Sequence, residues 1–129
     1  MNRALALLTV TKDHPASPVP IDGPLYTVLL ARADHDAEVG SAAEAVRQYR
    51  DLLEGVMRAA PDVEHDLSSA NRLAALYDAL AAAQRQTGAL DAAAATDARR
   101  LAIWTHWARR LPGNTFVARR LQASGLPAR

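Results

Sequence analysis

The chain has 129 residues, half of them hydrophobic and 5% aromatic, and a formal net charge of +1. It has no cysteine, which excludes disulfides and thiolate metal sites, and it lacks an apolar run of the ~18 residues that a membrane-spanning helix needs. The length suits one domain with a modest core. Much of the hydrophobic content is alanine, the strongest helix former, so an all-α protein with thin, closely packed interfaces is expected.

The first ten residues, MNRALALLTV, fit either one or two helical turns or an apolar strand-like run. The apolar stretch is short and lacks an Ala-x-Ala site before Lys12-Asp13, which argues against a signal peptide and for a cytoplasmic location. Residues 11–24 contain four prolines and read as a linker or an extended arm lying on the helices. Pro24 then opens a helix to about Val39, with Leu25, Val28, Leu29, Ala33 and Ala37 on its apolar face. Gly40 ends it. Ser41, with Glu44 three residues on, forms a Ser-x-x-Glu capping box for a second helix, Ala42 to about Ala60. That helix carries Ala42, Ala45, Val46, Tyr49, Leu52, Leu53, Val56 and Met57 as its stripe. Arg47–Asp51, Arg50–Glu54 and Glu54–Arg58 are i,i+4 pairs on its wet side, where Gly55 also falls. Pro61 closes it, and PDVEHD is a loop.

A third helix starts at Ser68 or Ser69, either of which can act as the cap. Ala70, Leu73, Ala74, Tyr77, Leu80 and Ala81 form one face. Thr87-Gly88-Ala89 is the turn into a fourth helix bearing Leu90, Ala93, Ala94, Leu101, Trp104, Ala108 and Leu111 on one side. So short a link makes the two helices antiparallel. Pro112-Gly113 stops the fourth helix, and Asn114 or Thr115 caps a fifth, roughly 115–123, with Phe116, Val117 and Leu121.

The chain repeats once. Gly40 and Gly88 are 48 residues apart. Ala33 and Ala81 each lie seven before their glycine, and Ala45 and Ala93 each lie five after. Such a period signals a helical solenoid, whose units bury each other's faces. On these residues the sequence resembles the tetratricopeptide repeat family. Tyr77, Leu80, Ala81, Gly88 and Ala93 match the family's spacing in one copy, and Leu29, Ala33, Gly40, Ala45 and Tyr49 in the other. Arg32 stands where a leucine is usual, Asp97 where an aromatic is usual, and both units are longer than the common repeat. The tail LAIWTHWARRLPGNTFVARRL looks, more loosely, like repeats that follow the catalytic domain of some bacterial serine/threonine kinases. The resemblance implies a scaffold that binds a protein or peptide.

The expected fold is therefore all-α: two antiparallel helix pairs stacked as a short right-handed solenoid over 24–124, with a C-terminal capping helix. An arm at 1–23 precedes it and a tail at 125–129 follows. In that register Leu30, Asp34, Glu38, Asp78 and Arg85, with Thr27, Ala75 and Ala82, line a concave side. It lacks the lysine and asparagine set with which some tetratricopeptide proteins grip a C-terminal carboxylate.

Charge marks a second surface. Residues 1–97 hold 8 Arg/Lys and all 14 acids, whereas residues 98–129 hold 7 arginines and no acid. Arg99, Arg110, Arg119 and Arg120 are candidate partner-binding residues there. The same arginines also suit helix C-termini, and the lack of lysine and of interleaved base-stacking aromatics argues against nucleic acid. Ile103 and Trp107 lie beside the main stripe. Either the fifth helix covers them through Phe116 and Leu121, or they form an exposed patch for a homodimer.

Asp97 falls inside the apolar stripe of its helix and needs a partner: Arg100, Arg72 or Tyr77. A ligand pocket around Asp97, Tyr77 and Trp104 is the alternative, in a small-molecule-binding or regulatory bundle. The histidines, His14, His35, His65 and His106, have no metal-ligand spacing, and His106 falls on the solvated side. No phosphate loop, nucleophile elbow or kinase motif is present, so neither catalysis nor a cofactor is expected.

Overall fold

The computed structural model describes residues 18–125. The expectations for residues 1–17 and for the tail from 126 onwards lie outside the described residues. Five α-helices fill most of the described length: α1 Pro24–Glu38, α2 Ala42–Arg58, α3 Leu67–Gln86, α4 Leu90–Arg110 and α5 Thr115–Gly125. No strand occurs among the described residues, and none of these helices is long and apolar enough to cross a membrane. The protein is all-α. It divides into two compact units, Met1–Pro61 and Asp62–Arg129.

In the first unit α1 and α2 form an antiparallel pair. Pro24 takes the first helical position, where its fixed φ fits and its missing N–H would have no partner anyway. The chain reverses through Val39-Gly40-Ser41, with Gly40 at φ +89, a conformation that suits glycine. The expected capping box does not form. Ser41 has ψ 59, makes no side-chain capping bond, and donates its amide to the Asp36 carbonyl. The Glu44 carboxylate instead accepts bonds from Arg47 and from Gln48 Nε2.

The core of this unit holds Ala33, Ala45, Tyr49, Leu52 and Val56, as the spacing predicts, together with Tyr26, Val19 and Ile21. Val28 and Met57, placed on the apolar faces by spacing, are exposed. Gly55 is buried rather than solvated. The proline-flanked arm explains it: the Val19 amide donates to the Gly55 carbonyl at 2.8 Å.

In the second unit α3 and α4 pair antiparallel through Thr87-Gly88-Ala89, and α5 packs on α4. Gly88 has φ +83, matching its repeat counterpart Gly40. The cap of α3 is Asp66, two residues before Ser68 and three before Ser69. Its carboxylate accepts from the Ser68 amide at 3.0 Å and from the Ser69 hydroxyl at 2.9 Å. The Ser69 hydroxyl bond, ahead of those from the backbone amides, holds the Asp66 carboxyl below the usual aspartate range.

All six residues predicted for the face of α3 are buried, and so are Leu76, Ala83 and Gln84. On α4, Ala93 and Trp104 are buried as expected, but Leu90, in the first turn, is 64% exposed. Ala70, Ala74, Trp104, Trp107 and Val117 form one apolar cluster, with Val63, Leu67, Ile103, Ala108, Leu111 and Leu121 packed around it. Each large side chain withdrawn from water there contributes about 1.5–3 kcal/mol.

Candidate functional site: the hairpin ion pairs and the arginine-rich end

Four charged side chains tie α3 to α4. Arg85 Nη1 donates to Asp97 Oδ2 at 2.8 Å. Arg100 Nη2 lies 3.3 Å from Asp97 Oδ1, and Arg100 Nη1 bonds Asp78. Asp97 thus obtains the i+3 partner expected from sequence and a second one, Arg85, that lies twelve residues back. Asp78 and Arg85, predicted to face a partner, are both engaged within the chain. Nearer the turn, the Thr96 hydroxyl lies 2.7 Å from Gln84 Oε1, and both residues are buried. That contact satisfies two polar groups that would otherwise be costly inside the hairpin.

The far end of the second unit is built differently. Trp107 is 4% exposed. Its indole Nε1 donates to the Val63 carbonyl at 2.8 Å, and the neighbouring His106 Nε2 lies 3.0 Å from the Glu64 carbonyl, to which it must donate. Two consecutive side chains of α4 therefore hold two consecutive carbonyls of the segment leading into α3. His106 is half-buried and bonded, not solvated as its helical position suggested.

Trp107 offers no surface for self-association, because this segment and α5 enclose it. Of the two alternatives read from sequence, the covered one holds for Trp107. Ile103 is half-buried against the same cluster. The cover from α5 comes through Val117 and Leu121, while Phe116 stays 41% exposed and meets Trp104 edge-on, ring centroids 5.9 Å apart.

Arginines surround this end. Arg110 lies over the Trp107 ring at 5.5 Å and Arg120 over the Phe116 ring at 5.1 Å, which fixes both guanidinium groups against aromatic faces. Arg99, Arg109 and Arg119 are exposed and have no ion pair among the described residues. Between the end of α4 and α5 lies an open cleft of about 320 Å³, lined by Ala108, Leu111, Val117, Ala118, Leu121 and Gln122 with the turn at Gly113-Asn114. The turn is braced by Asn114, whose Oδ1 accepts from the Val117 amide at 3.0 Å and so caps α5. The sequence reading missed this cleft. Its lining comes from α4, α5 and the turn between them, and no motif in the sequence marks it.

In the first unit Leu30 is half-buried and Glu38 is exposed. Asp34 accepts a hydrogen bond from the Tyr49 hydroxyl, and Asp36 accepts from Gln48 Nε2 at 2.6 Å. Burial first, and then the bond to Asp34, raise the Tyr49 phenol above the usual tyrosine range. Among the described residues no three His, Asp or Glu side chains are placed to hold a metal ion.

Comparison with protein-family models, with curated proteins and with solved structures finds no match.

Proposed function

We propose that the protein is a non-enzymatic interaction module of tetratricopeptide type that binds a protein or peptide partner through its arginine-rich C-terminal end. The observation that carries this reading is a contrast of charge states. Asp78, Arg85, Asp97 and Arg100 neutralise one another across the α3–α4 hairpin. Arg109, Arg110, Arg119 and Arg120 have no carboxylate partner among the described residues, and no acid occurs from 98 to 129. A basic surface without internal neutralisation favours an acidic partner. Of the helix-face candidates, Glu38 and Leu30 keep accessible surface, whereas Asp34, Asp78 and Arg85 are bonded within the chain.

The ion pairs at Asp97 also support the scaffold over a small-molecule pocket, since the carboxylate is already held by two guanidiniums. Self-association through Trp107 has no support from its burial. A cytoplasmic setting belongs to the same proposal.

The test is fluorescence anisotropy with glutamate-rich and lysine-rich peptides of equal length at rising salt. The glutamate-rich peptide should bind, weaken with salt, and be lost when Arg109 and Arg119 are both replaced by Glu. Equal binding of the two peptides, or indifference to the double replacement, would sink the reading.

A further inference from the structure

We infer that the α1–α2 pair carries a seat for an extended peptide segment of apolar–proline–apolar pattern, and that the chain's own arm at Pro18–Ile21 fills it as an internal occupant. The seat belongs to the first unit and does not depend on the arginine-rich end.

Burial alternates along the arm. Pro18 and Pro20 are exposed, whereas Val19 is 1% and Ile21 3% exposed. That alternation is the period of an extended chain, with the side chains at 19 and 21 turned into the protein. The prolines set it: each fixes its own φ, and Pro20 also biases Val19 to extended backbone. Neither proline carries an amide hydrogen, so Val19 holds the one backbone donor of Pro18-Val19-Pro20. It goes to the Gly55 carbonyl at 2.8 Å. Gly55 opens the last four residues of α2, where helix carbonyls look beyond the helix for donors. Pro20 then accepts from the Gly23 amide at 3.0 Å, and that turn delivers the chain to α1.

The arm is therefore held as extended peptides are held by proteins that recognise them, with a main-chain bond for affinity and alternate side chains for selectivity. A proline-bearing segment loses little conformational freedom in such a seat, so a segment not joined to α1 meets the same conditions. Asp22 and Gly23 are the whole link to Pro24, so the arm's local concentration is high and excludes a competitor from outside. The contact is autoinhibitory: the seat opens to a partner segment of the same pattern when the arm gives it up.

The experiment uses the full chain and a capped, labelled peptide of residues 18–23, PVPIDG. Two control peptides differ from it, one by serine at both apolar positions and one by an N-methyl group on the valine nitrogen, which removes the hydrogen-bond donor. Each is titrated against the parent, against Val19→Ser combined with Ile21→Ser, and against the milder Val19→Ala, with anisotropy and melting temperature as readouts. Circular dichroism follows helix content.

The native peptide should bind the double variant and raise its melting temperature, bind Val19→Ala more weakly, and leave the parent unchanged. N-methylation should weaken binding about tenfold, and the serine peptide should not bind. Failure of the native peptide to bind either variant would overturn the proposal. Equal binding to parent and variants would do the same, because the peptide would then sit elsewhere. Loss of helix content in both variants would show the arm to be a fixed part of the fold, which also defeats the proposal.

Discussion

Arg85, the next-to-last residue of α3, donates to Asp97 on α4 across 2.8 Å, and Arg100 approaches the same carboxylate from Asp97's own helix. Asp97 is 31% exposed at its side chain, so water screens part of this attraction. Replacing Asp97 by Asn should therefore lower stability by no more than about 1 kcal/mol in chemical denaturation. Affinity for an acidic peptide should hold or rise, because Arg85 is released while Arg100 keeps its bond to Asp78. A loss of peptide binding would instead assign Asp97 to the site. Asp97→Leu separates the roles further: higher stability with intact binding would show that the carboxylate serves neither.

The Gln84–Thr96 pair offers a cleaner energetic test. Thr96→Val alone leaves a buried amide without its partner and should cost about 1–3 kcal/mol. Adding Gln84→Leu removes the unsatisfied group, so the double variant should recover much of the loss. Strict additivity in denaturant melts would mean that the two side chains do not interact.

Gly40 and Gly88 hold equivalent places in the two helix pairs, at φ +89 and +83, and neither has an atom within 4 Å of where a Cβ would stand. Replacement by Ala should thus be destabilising at each, through backbone strain alone, by about 1–2 kcal/mol. Similar losses at both positions would support the repeat energetically. A loss at one alone would show that the two turns are not equivalent.

Two groups set opposite ends of the pH range. The folded value of Asp66 is lowered, so its contribution is complete above the ordinary aspartate value of about 4 and is lost as pH falls through the lower folded value. Asp66→Asn keeps a capping oxygen but does not titrate, so its deficit against the parent should shrink on acidification. Tyr49 has the opposite sign. Its folded value is raised, so its contribution is complete below about pH 10 and fades as pH climbs through the folded value. Tyr49→Phe should lose less on alkaline titration than the parent does. Melting temperatures across pH measure both.

Trp107 joins α4 to the segment before α3 through one indole hydrogen bond and its ring packing. Trp107→Phe removes the Nε1–H and trims the ring, and should cost about 1–3 kcal/mol. Hydrogen exchange at residues 62–66 should accelerate more than at the Thr87–Ala89 turn. Uniform acceleration would place the loss in the core and not in the held segment.

Much of the architecture could be read from the chain because its cues are local. The glycine turns, the proline start of α1 and the face of α3 depend on residues within a few positions of one another. What escaped depends on the partner helix or on distant backbone. Arg85 could not be assigned to Asp97 without the hairpin's register, and His106 looked solvated because its acceptor, the Glu64 carbonyl, lies 42 residues away. The Ser41–Glu44 motif was legible but unused, since Arg47 and Gln48 take the Glu44 carboxylate. The arginine-rich end was visible as composition. The cleft near it was not, because its walls come from two helices and the turn that joins them.

The arm at Pro18–Pro20 bears on where this part of the chain can be cut. A boundary drawn at the first helix, Pro24, would sever Val19 and Ile21, both nearly inaccessible to water, from the helices they cover. It would also leave the Gly55 carbonyl without the Val19 amide. The cooperative unit therefore begins ahead of its first helix, and a version shortened to Pro24 should melt earlier and bind apolar dyes.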